Sequence, residues 1–137
     1  NITIKVPLTP EGLKVCKDLS ADEVSVNVTL CFSTAQAILA AKAGATYISP
    51  FVGRVNDQSF DGIKLIEEIS DVYATHKQKT QVLAASIRDV YQVASCFRVG
   101  ADICTIPSKI FSGMYKHILT DQGIAKFDED WTKLVGG

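Results

Sequence analysis

Apolar and polar positions along the chain form two kinds of segment that follow one another in turn. Short apolar runs rich in β-branched residues, as at residues 2–6 and 26–32, are typical of strands buried on both faces. The segments between such runs place apolar residues three and four positions apart, which is the spacing of an amphipathic helix. This order of strand and helix predicts an α/β fold, a parallel sheet with helices outside it.

Five strand–helix units follow from the pattern. We expect strands at residues 2–6, 26–32, 46–50, 81–86 and 102–106, and helices from residue 10, at 34–43, around 63–73, from 89, near 108–115 and near 119–134. Thr9 and Ser33 have the position of N-caps, and Gly44 and Gly100 follow helix ends as C′ glycines. The polar stretch 53–61 is expected to be a loop.

The turns at residues 43–45 and 99–101 share one pattern, an apolar residue, glycine and alanine. That similarity indicates a repeated unit, as in a (β/α)8 barrel. Eight units need about 200–250 residues, so a barrel with the five units found here would lack about three. Residue 1 is Asn rather than Met, and we expect the chain to be processed or part of a longer protein.

The composition argues against several classes of function. Basic and acidic residues nearly balance, 14 against 15 with a net charge of −1, so nothing indicates nucleic-acid binding. No apolar run approaches the length of a membrane span and no signal-peptide pattern is found, so we expect a cytoplasmic protein. The four cysteines form no CxxC pair and have no histidine at zinc spacing, which favours reduced core thiols over a metal site.

Lys5 is the most informative single residue, because it lies in an apolar run that ends at Pro7. A buried ammonium is costly unless it is paired or loses its proton. A lysine at the carboxyl end of a buried parallel strand is therefore a candidate amine nucleophile. The alternative is a lysine at the edge of the core whose stem packs while its head reaches water.

Polar and charged side chains collect where the predicted strands end, which is where barrel enzymes carry their functional residues. Guanidinium groups bind phosphate oxygens in pairs, so two arginines after consecutive strands favour an anion site over two solvated surface residues. An amine, small polar groups and guanidinium groups together suit a phosphorylated carbonyl substrate. The candidates are Lys5, Asn27, Thr29, Ser49, Phe51, Arg54, Ser86 and Arg88.

Several segments resemble the small transaldolases and the related fructose-6-phosphate aldolases, which are class I aldolases on a (β/α)8 barrel. The matching segments are IKVPLTPEG at residues 4–12, NVTL at 27–30, QAILAAKAGA at 36–45, SPFVGR at 49–54 and AASIR at 84–88. The similarity covers essentially the whole chain. It implies that residues 1–137 are the C-terminal part of one barrel domain, including the helix near 119–134.

The resemblance implies a role for each candidate residue. Lys5 matches the lysine that forms a Schiff base with the keto carbon of a sugar phosphate, and Thr29 matches the threonine that holds a catalytic water. Asn27 and Ser49 match residues that contact the bound dihydroxyacetone unit. The phosphate-binding set is matched by Arg54, Ser86 and Arg88. No cofactor is implied, and the partners are sugar phosphates.

Phe51 bears on which reaction is expected. The fructose-6-phosphate aldolases typically have a tyrosine at the matching position, whose hydroxyl can aid protonation of the enamine. Phenylalanine cannot donate a proton, so the enamine survives to meet an aldehyde acceptor. The resemblance thus implies a transaldolase of the pentose phosphate pathway. The alternatives are an aldolase that releases free dihydroxyacetone, and a phenylalanine that only packs at the rim.

The chain departs from the family pattern at its start. The family carries an aspartate, an asparagine and an acidic or amide residue on its first three strands, and Asp57 and Asp61 do not match them. We therefore expect the isolated chain to be inactive or nearly so. A further alternative is a non-catalytic fragment that self-associates through open sheet edges and the helix bearing Trp131, and we expect a homo-oligomer.

Overall fold

The computed structural model of the protein describes residues 2–136. Its five strands form one parallel sheet in the order β1-β2-β3-β4-β5. Sequential order with a helix after each strand is the arrangement of a (β/α)8 barrel. The predicted α/β fold, with five units of such a barrel, is confirmed. The strands are β1 (Thr3–Pro7), β2 (Ser25–Cys31), β3 (Tyr47–Pro50), β4 (Gln81–Ala84) and β5 (Ile103–Cys104).

Four long connections cross back over one face of the sheet, and two helices follow β5. The helices are α1 (Pro10–Ala21), α2 (Thr34–Lys42), α3 (Val52–Asp57), α4 (Gly62–Thr75), α5 (Val90–Arg98), α6 (Ser108–Gly113) and α7 (Ile118–Val135). The predicted N-caps are confirmed, because Thr9 Oγ1 accepts from the Gly12 N–H at 3.0 Å and Ser33 Oγ accepts from the Gln36 N–H at 3.2 Å. No helix within residues 2–136 has the length and apolar character needed to cross a bilayer.

The core lies between the helix layer and one face of the sheet. Val26, Val28 and Ile48 are fully buried on that face, and Ile66 and Ile69 of α4 are fully buried against it. Because side chains alternate along a strand, Asn27, Thr29 and Ser49 belong to the opposite face. The register Val28↔Ile48 and Thr29↔Ser49 keeps the two sets on separate sides across β2 and β3.

A serine-to-glycine contact recurs in two of the units. Gly44 has a φ of +86° and Gly100 has a φ of +103°, a left-handed conformation that costs other residues strain. A Cβ on Gly44 would lie 3.0 Å from Ser20 Cβ, and a Cβ on Gly100 would lie 2.8 Å from Ser70 Cβ. Both glycines therefore provide a turn and a close helix approach at the two places where the sequence repeats its pattern.

Two expectations from the sequence are wrong. The stretch 53–61 is not one polar loop, because Val52–Asp57 forms α3 and Asp61 caps α4 through the Lys64 N–H at 3.0 Å. The first strand is not buried on both faces, since Val6 alone is buried in β1 and Ile4 is 39% exposed. The physical reason is position: β1 is an outer strand of the described sheet and pairs with β2 alone.

Candidate active site

Lys5 lies on the sheet face opposite the helices and is exposed. It stands directly across from Asn27 in the register of β1 and β2, while Thr29 stands across from Ser49 in that of β2 and β3. Neighbouring strands lie about 4.8 Å apart, so four of the candidate residues form one small patch. The structure thus brings Lys5, Asn27, Thr29 and Ser49 together on one face.

The polar groups of this patch are oriented by one another. The Ser49 hydroxyl donates to the amide oxygen of Asn27 at 2.7 Å, and Ser49 is only 1% exposed. This hydrogen bond fixes the Asn27 amide and leaves its NH2 group as a donor. Thr29 Oγ1 is buried and has no hydrogen-bond partner within residues 2–136. Such a hydroxyl is costly to leave unpaired, so Thr29 suits a small polar molecule that it could bind.

Helix α3 forms the other half of the site, next to the end of β4. The Val52 N–H donates to Ala85 O at 2.9 Å and the Gly53 N–H donates to Ser86 O at 3.0 Å. Val52 is fully buried and Val55 is 8% exposed, so one side of this short helix is anchored in the core. Arg54 is thereby held beside the segment that carries Ser86 and Arg88.

Gly53 is required where the two segments meet. A Cβ at this position would lie 2.2 Å from Ser86 O and 2.7 Å from Arg88 Nε. The Arg88 side chain therefore passes across the bare backbone of Gly53, which brings it to the residue next to Arg54. Ser86 has a φ of +60°, an uncommon backbone conformation for serine. The hydrogen bond from the Gly53 N–H of α3 to Ser86 O stabilises this strained conformation.

The two arginines differ in their partners. Arg88 Nη2 donates to Asp57 Oδ2 at 2.7 Å in a half-exposed ion pair, and the Arg88 N–H donates to Gln92 Oε1 at 2.9 Å. The Arg54 guanidinium lies 4.8 Å from the centre of the Phe51 ring. The Phe51 ring in turn meets the Phe32 ring edge-on, with 5.7 Å between centroids.

Sequence reasoning missed four residues of this region. Asp57 and Gln92 orient Arg88, Phe32 contacts Phe51, and Gly53 admits the Arg88 side chain. The Asp89–Gln92 pair was visible in the sequence as an N-cap with glutamine three residues later. The Phe32–Phe51 contact joins two strand ends and has no local signal.

Cysteines and histidines form no metal site in the described residues. The structure shows no group of three His, Cys, Asp or Glu side chains placed to hold a metal within residues 2–136. All four cysteines are free thiols. Burial raises the pKa of Cys31 to about 12 and also raises the pKa of Cys16, which disfavours their thiolate forms. His76 and His117 lie at helix ends.

A comparison with protein families gives a match over the whole sequence. The sequence model described as "Transaldolase/Fructose-6-phosphate aldolase" matches residues 1–137. The chain belongs to this family. The family match covers all the candidate site residues from Lys5 to Arg88.

Curated relatives match nearly the whole chain. It is 55% identical over 133 residues to a "Probable transaldolase" of Paracoccus denitrificans, with 97% of this chain and 61% of that protein covered. It is 50% identical over 136 residues to a "Probable transaldolase" of Brachyspira hyodysenteriae, with 99% and 63% covered. The chain therefore spans about three fifths of the length of these relatives.

Solved structures of low sequence identity share the fold. A mutant flavocytochrome b2 with benzoylformate superposes with a TM-score of 0.55 at 17% identity, covering 69% of this chain and 26% of that chain. A mandelate oxidase variant gives a TM-score of 0.53 at 21% identity, covering 69% and 29%. These likenesses concern the fold alone.

Proposed function

We propose that the protein is a transaldolase. It transfers a dihydroxyacetone unit from a ketose phosphate, fructose 6-phosphate or sedoheptulose 7-phosphate, to an aldose phosphate in the pentose phosphate pathway of the cytoplasm. The observation that carries the proposal is the pairing of Lys5 with Asn27 on the sheet face that also holds Thr29 and Ser49. We assign the activity to a polypeptide of the relatives' length, in which residues 1–137 form the C-terminal part of one barrel domain.

Lys5 is the nucleophile of the proposed reaction. Its amine adds to the keto carbon of the donor, and loss of water gives a protonated imine. The imine accepts the electron pair of the neighbouring carbon–carbon bond as that bond breaks, and the hydroxyl on the departing carbon gives its proton to a general base. The aldose phosphate leaves, and the dihydroxyacetone unit stays on Lys5 as an enamine. The enamine carbon attacks the aldehyde of the acceptor, whose oxygen takes up a proton, and water then releases the new ketose phosphate and the free amine.

The polar residues around Lys5 hold the atoms that do not react. Asn27 and Ser49 contact the hydroxyl groups of the dihydroxyacetone unit, supported by the 2.7 Å hydrogen bond that orients the Asn27 amide. Thr29 binds the water that enters and leaves during Schiff-base formation, supported by its buried and unpaired Oγ1. Small polar groups of fixed orientation are effective in this role because they need no rearrangement.

Arg54, Ser86 and Arg88 bind the phosphate of the sugar. They surround the contact between α3 and the segment after β4, where Gly53 brings the two segments together. Strand β4 is three strands from β1, which places the bases of the two groups about 14 Å apart across the sheet. For one sugar phosphate to reach both groups, the lysine and arginine side chains must extend toward each other across that gap.

Phe51 favours transfer over simple cleavage, because its ring has no hydroxyl to protonate the enamine. The second candidate is an aldolase that releases free dihydroxyacetone, since the matching family includes both activities in its name. Cleavage of fructose 6-phosphate, measured with and without erythrose 4-phosphate, distinguishes them. A rate that depends on the acceptor supports transfer, and Phe51→Tyr is expected to raise the acceptor-independent rate.

Borohydride trapping tests the central step. Fructose 6-phosphate is incubated with a polypeptide of the relatives' length that contains this sequence. The imine is then reduced, and peptides are mapped by mass spectrometry. We expect a reduced adduct on Lys5 that is lost in Lys5→Arg, which keeps the charge but has no nucleophilic amine. Lys42→Arg, on the helix side, is the control and should keep the adduct. Trapping that is unaffected by Lys5→Arg would contradict the proposal.

The 137-residue chain is proposed to lack turnover by itself. The family's acidic and amide residues on its first three strands do not match any position of this sequence. Proton transfer during Schiff-base formation and breakdown typically contributes 10²–10⁴-fold to a rate, so its loss leaves Lys5 without an efficient cycle. Robust turnover by the 137-residue chain would show that residues present here supply the proton transfer.

A further inference from the structure

Arg54 has an unusual environment for a surface arginine next to acidic residues. The ion pairs found within residues 2–136 do not include it, although Asp57 lies three positions away on the same short helix and pairs with Arg88 instead. Its guanidinium lies over the Phe51 ring at 4.8 Å, within the range of a cation–π contact. An aromatic face fixes the plane of the guanidinium without occupying its N–H donors.

The Phe51 ring is itself held by Phe32. The two rings meet at an interplanar angle of 60° with 5.7 Å between centroids, the edge-to-face geometry that aromatic pairs prefer. The backbone supports the contact, because the Phe51 N–H donates to Cys31 O at 3.1 Å, next to Phe32 in the chain. The orientation of Arg54 therefore depends on two rings in series.

The backbone N–H groups of Phe32 and Arg88 make the same kind of hydrogen bond to a glutamine side chain. The Phe32 N–H donates to Gln36 Oε1 at 2.7 Å, and Ser33 caps α2 through the Gln36 N–H. At the end of β4, the Arg88 N–H donates to Gln92 Oε1 at 2.9 Å, and Asp89 caps α5 through the Gln92 N–H. Phe32 and Arg88 thus occupy equivalent positions, each the residue before an N-cap and each tied to a glutamine in the first turn.

We propose that Phe32 is a positioning residue for phosphate binding, which acts by holding the Phe51 ring under the Arg54 guanidinium. The inference rests on the proposed function, because Arg54 is assigned to the phosphate there. Phe32 itself touches no substrate in this scheme. It keeps Arg54 oriented before the phosphate arrives, so the ordering cost is reduced when the sugar phosphate binds.

Three variants separate this role from general packing. Phe32→Leu keeps an apolar side chain of similar size but removes the ring, whereas Phe32→Tyr keeps the ring and should rescue the effect. Phe60→Leu is the matched control, since Phe60 lines the same groove as Phe32 and Arg54 and is 73% exposed. The probes are inorganic phosphate and fructose 6-phosphate, with binding to the 137-residue chain measured by calorimetry.

We expect Phe32→Leu to weaken binding of both probes about two- to fivefold, in line with an exposed cation–π contact, and Phe32→Tyr and Phe60→Leu to leave binding unchanged. A second readout needs no ligand. The Nε–H proton resonance of Arg54 should be shielded by the Phe51 ring, and this shielding should be lost in Phe32→Leu alone. General destabilisation would not move that single resonance.

The outcomes distinguish this inference from the proposed function. Unchanged phosphate affinity and unchanged Arg54 shielding in Phe32→Leu would overturn the inference while leaving Schiff-base chemistry at Lys5 intact. Trapping with dihydroxyacetone, which carries no phosphate, tests Lys5 without using Arg54. Suppose that a polypeptide of the relatives' length that contains this sequence forms no such adduct, while Phe32→Leu still weakens phosphate binding two- to fivefold. That result would overturn the proposed function and leave the positioning role in place. Loss of binding in Phe60→Leu equal to that in Phe32→Leu would also overturn the inference.

Discussion

At the scale of single residues, the site depends on what is absent from a side chain as much as on what is present. Gly53 contributes no atoms beyond the backbone, and this lets Arg88 pass within reach of the segment that carries Arg54. Phe51 contributes a ring without a hydroxyl. The Cys31 thiol is held in its neutral form by burial. Two of these features give predictions that are independent of the nucleophile.

Gly53→Ala is expected to disrupt the proposed phosphate site. Its Cβ would lie 2.2 Å from Ser86 O and 2.7 Å from Arg88 Nε, so Arg88 must move or α3 must separate from Ser86. Loss of one charged hydrogen bond is worth about 1.5–3 kcal/mol, which corresponds to roughly ten- to hundredfold weaker binding of fructose 6-phosphate. Gly113→Ala is the control, since its Cβ would meet Val90 Cγ2 at 3.3 Å and no site residue. Equal affinities for the two variants would show that Arg88 does not bind the phosphate.

Burial of the Cys31 thiol gives a prediction about how the stability of the protein depends on pH. Burial raises the pKa of Cys31 from its ordinary value of 9.0 to about 12. Between these pH values the folded chain holds a proton that the unfolded chain releases, so the free energy of unfolding falls as pH rises above about 9. Urea unfolding of Cys31→Ala at about pH 8 and about pH 10 should show a smaller fall than wild type. An identical pH dependence in both proteins would contradict this assignment.

At the scale of secondary-structure elements, caps and turns carried most of what could be predicted. Thr9, Ser33, Gly44 and Gly100 mark helix ends by local chemistry, and all four have the predicted role. Helix α3 was missed because it spans only Val52–Asp57 and depends on tertiary hydrogen bonds to the segment after β4. The prediction that the first strand is buried on both faces was wrong, because burial depends on which strands and helices lie beside it. An apolar run in the sequence gives only the composition of the strand.

The same limit applies to the site. Asn27 and Ser49 were predicted as site residues from their polar side chains in two apolar strands and from the family resemblance, before their hydrogen bond was known. Contacts across strands, such as Phe32 with Phe51, depend on side-chain direction at two distant positions and leave no periodic signal. The roles of the candidate residues therefore stay predictions, while the structure shows which of these residues hydrogen-bond or pack with one another.

The repeated serine-to-glycine contact gives a prediction about packing between units. Gly44→Ala would force a left-handed conformation on alanine, at a cost of about 1–2 kcal/mol, and would add a Cβ 3.0 Å from Ser20 Cβ. We expect a lower free energy of unfolding by at least that amount. Gly123→Ala is the control, because its Cβ would meet nothing within 4 Å in α7, and alanine should stabilise the helix by about 0.5–1 kcal/mol. Destabilisation of similar size in both variants would show that the left-handed turn at Gly44 has no special requirement for glycine.

At the scale of the whole molecule, the described sheet has two outer strands that each pair on one side, β1 with β2 and β5 with β4. A closed barrel leaves no such edges, and unpaired edges favour association with further chains. Helix α7 adds an apolar stripe that is exposed throughout, with Phe127 74% and Trp131 66% exposed. Exposed aromatic residues in one stripe are typical of surfaces that contact a protein.

We expect the 137-residue chain to self-associate through α7, and Trp131 reports on this directly because it is the only tryptophan. Burial of its exposed ring on association should shift its fluorescence to shorter wavelength as protein concentration rises, in parallel with the mass measured by light scattering. Phe127→Glu should abolish both changes, since a carboxylate cannot be buried in an apolar contact without large cost. Lys126→Glu is the matched control, because it changes the charge at the neighbouring position without interrupting the stripe, and should leave association intact. A chain that stays monomeric at high concentration would contradict self-association, and association that survives Phe127→Glu would assign it to the open sheet edges instead of α7.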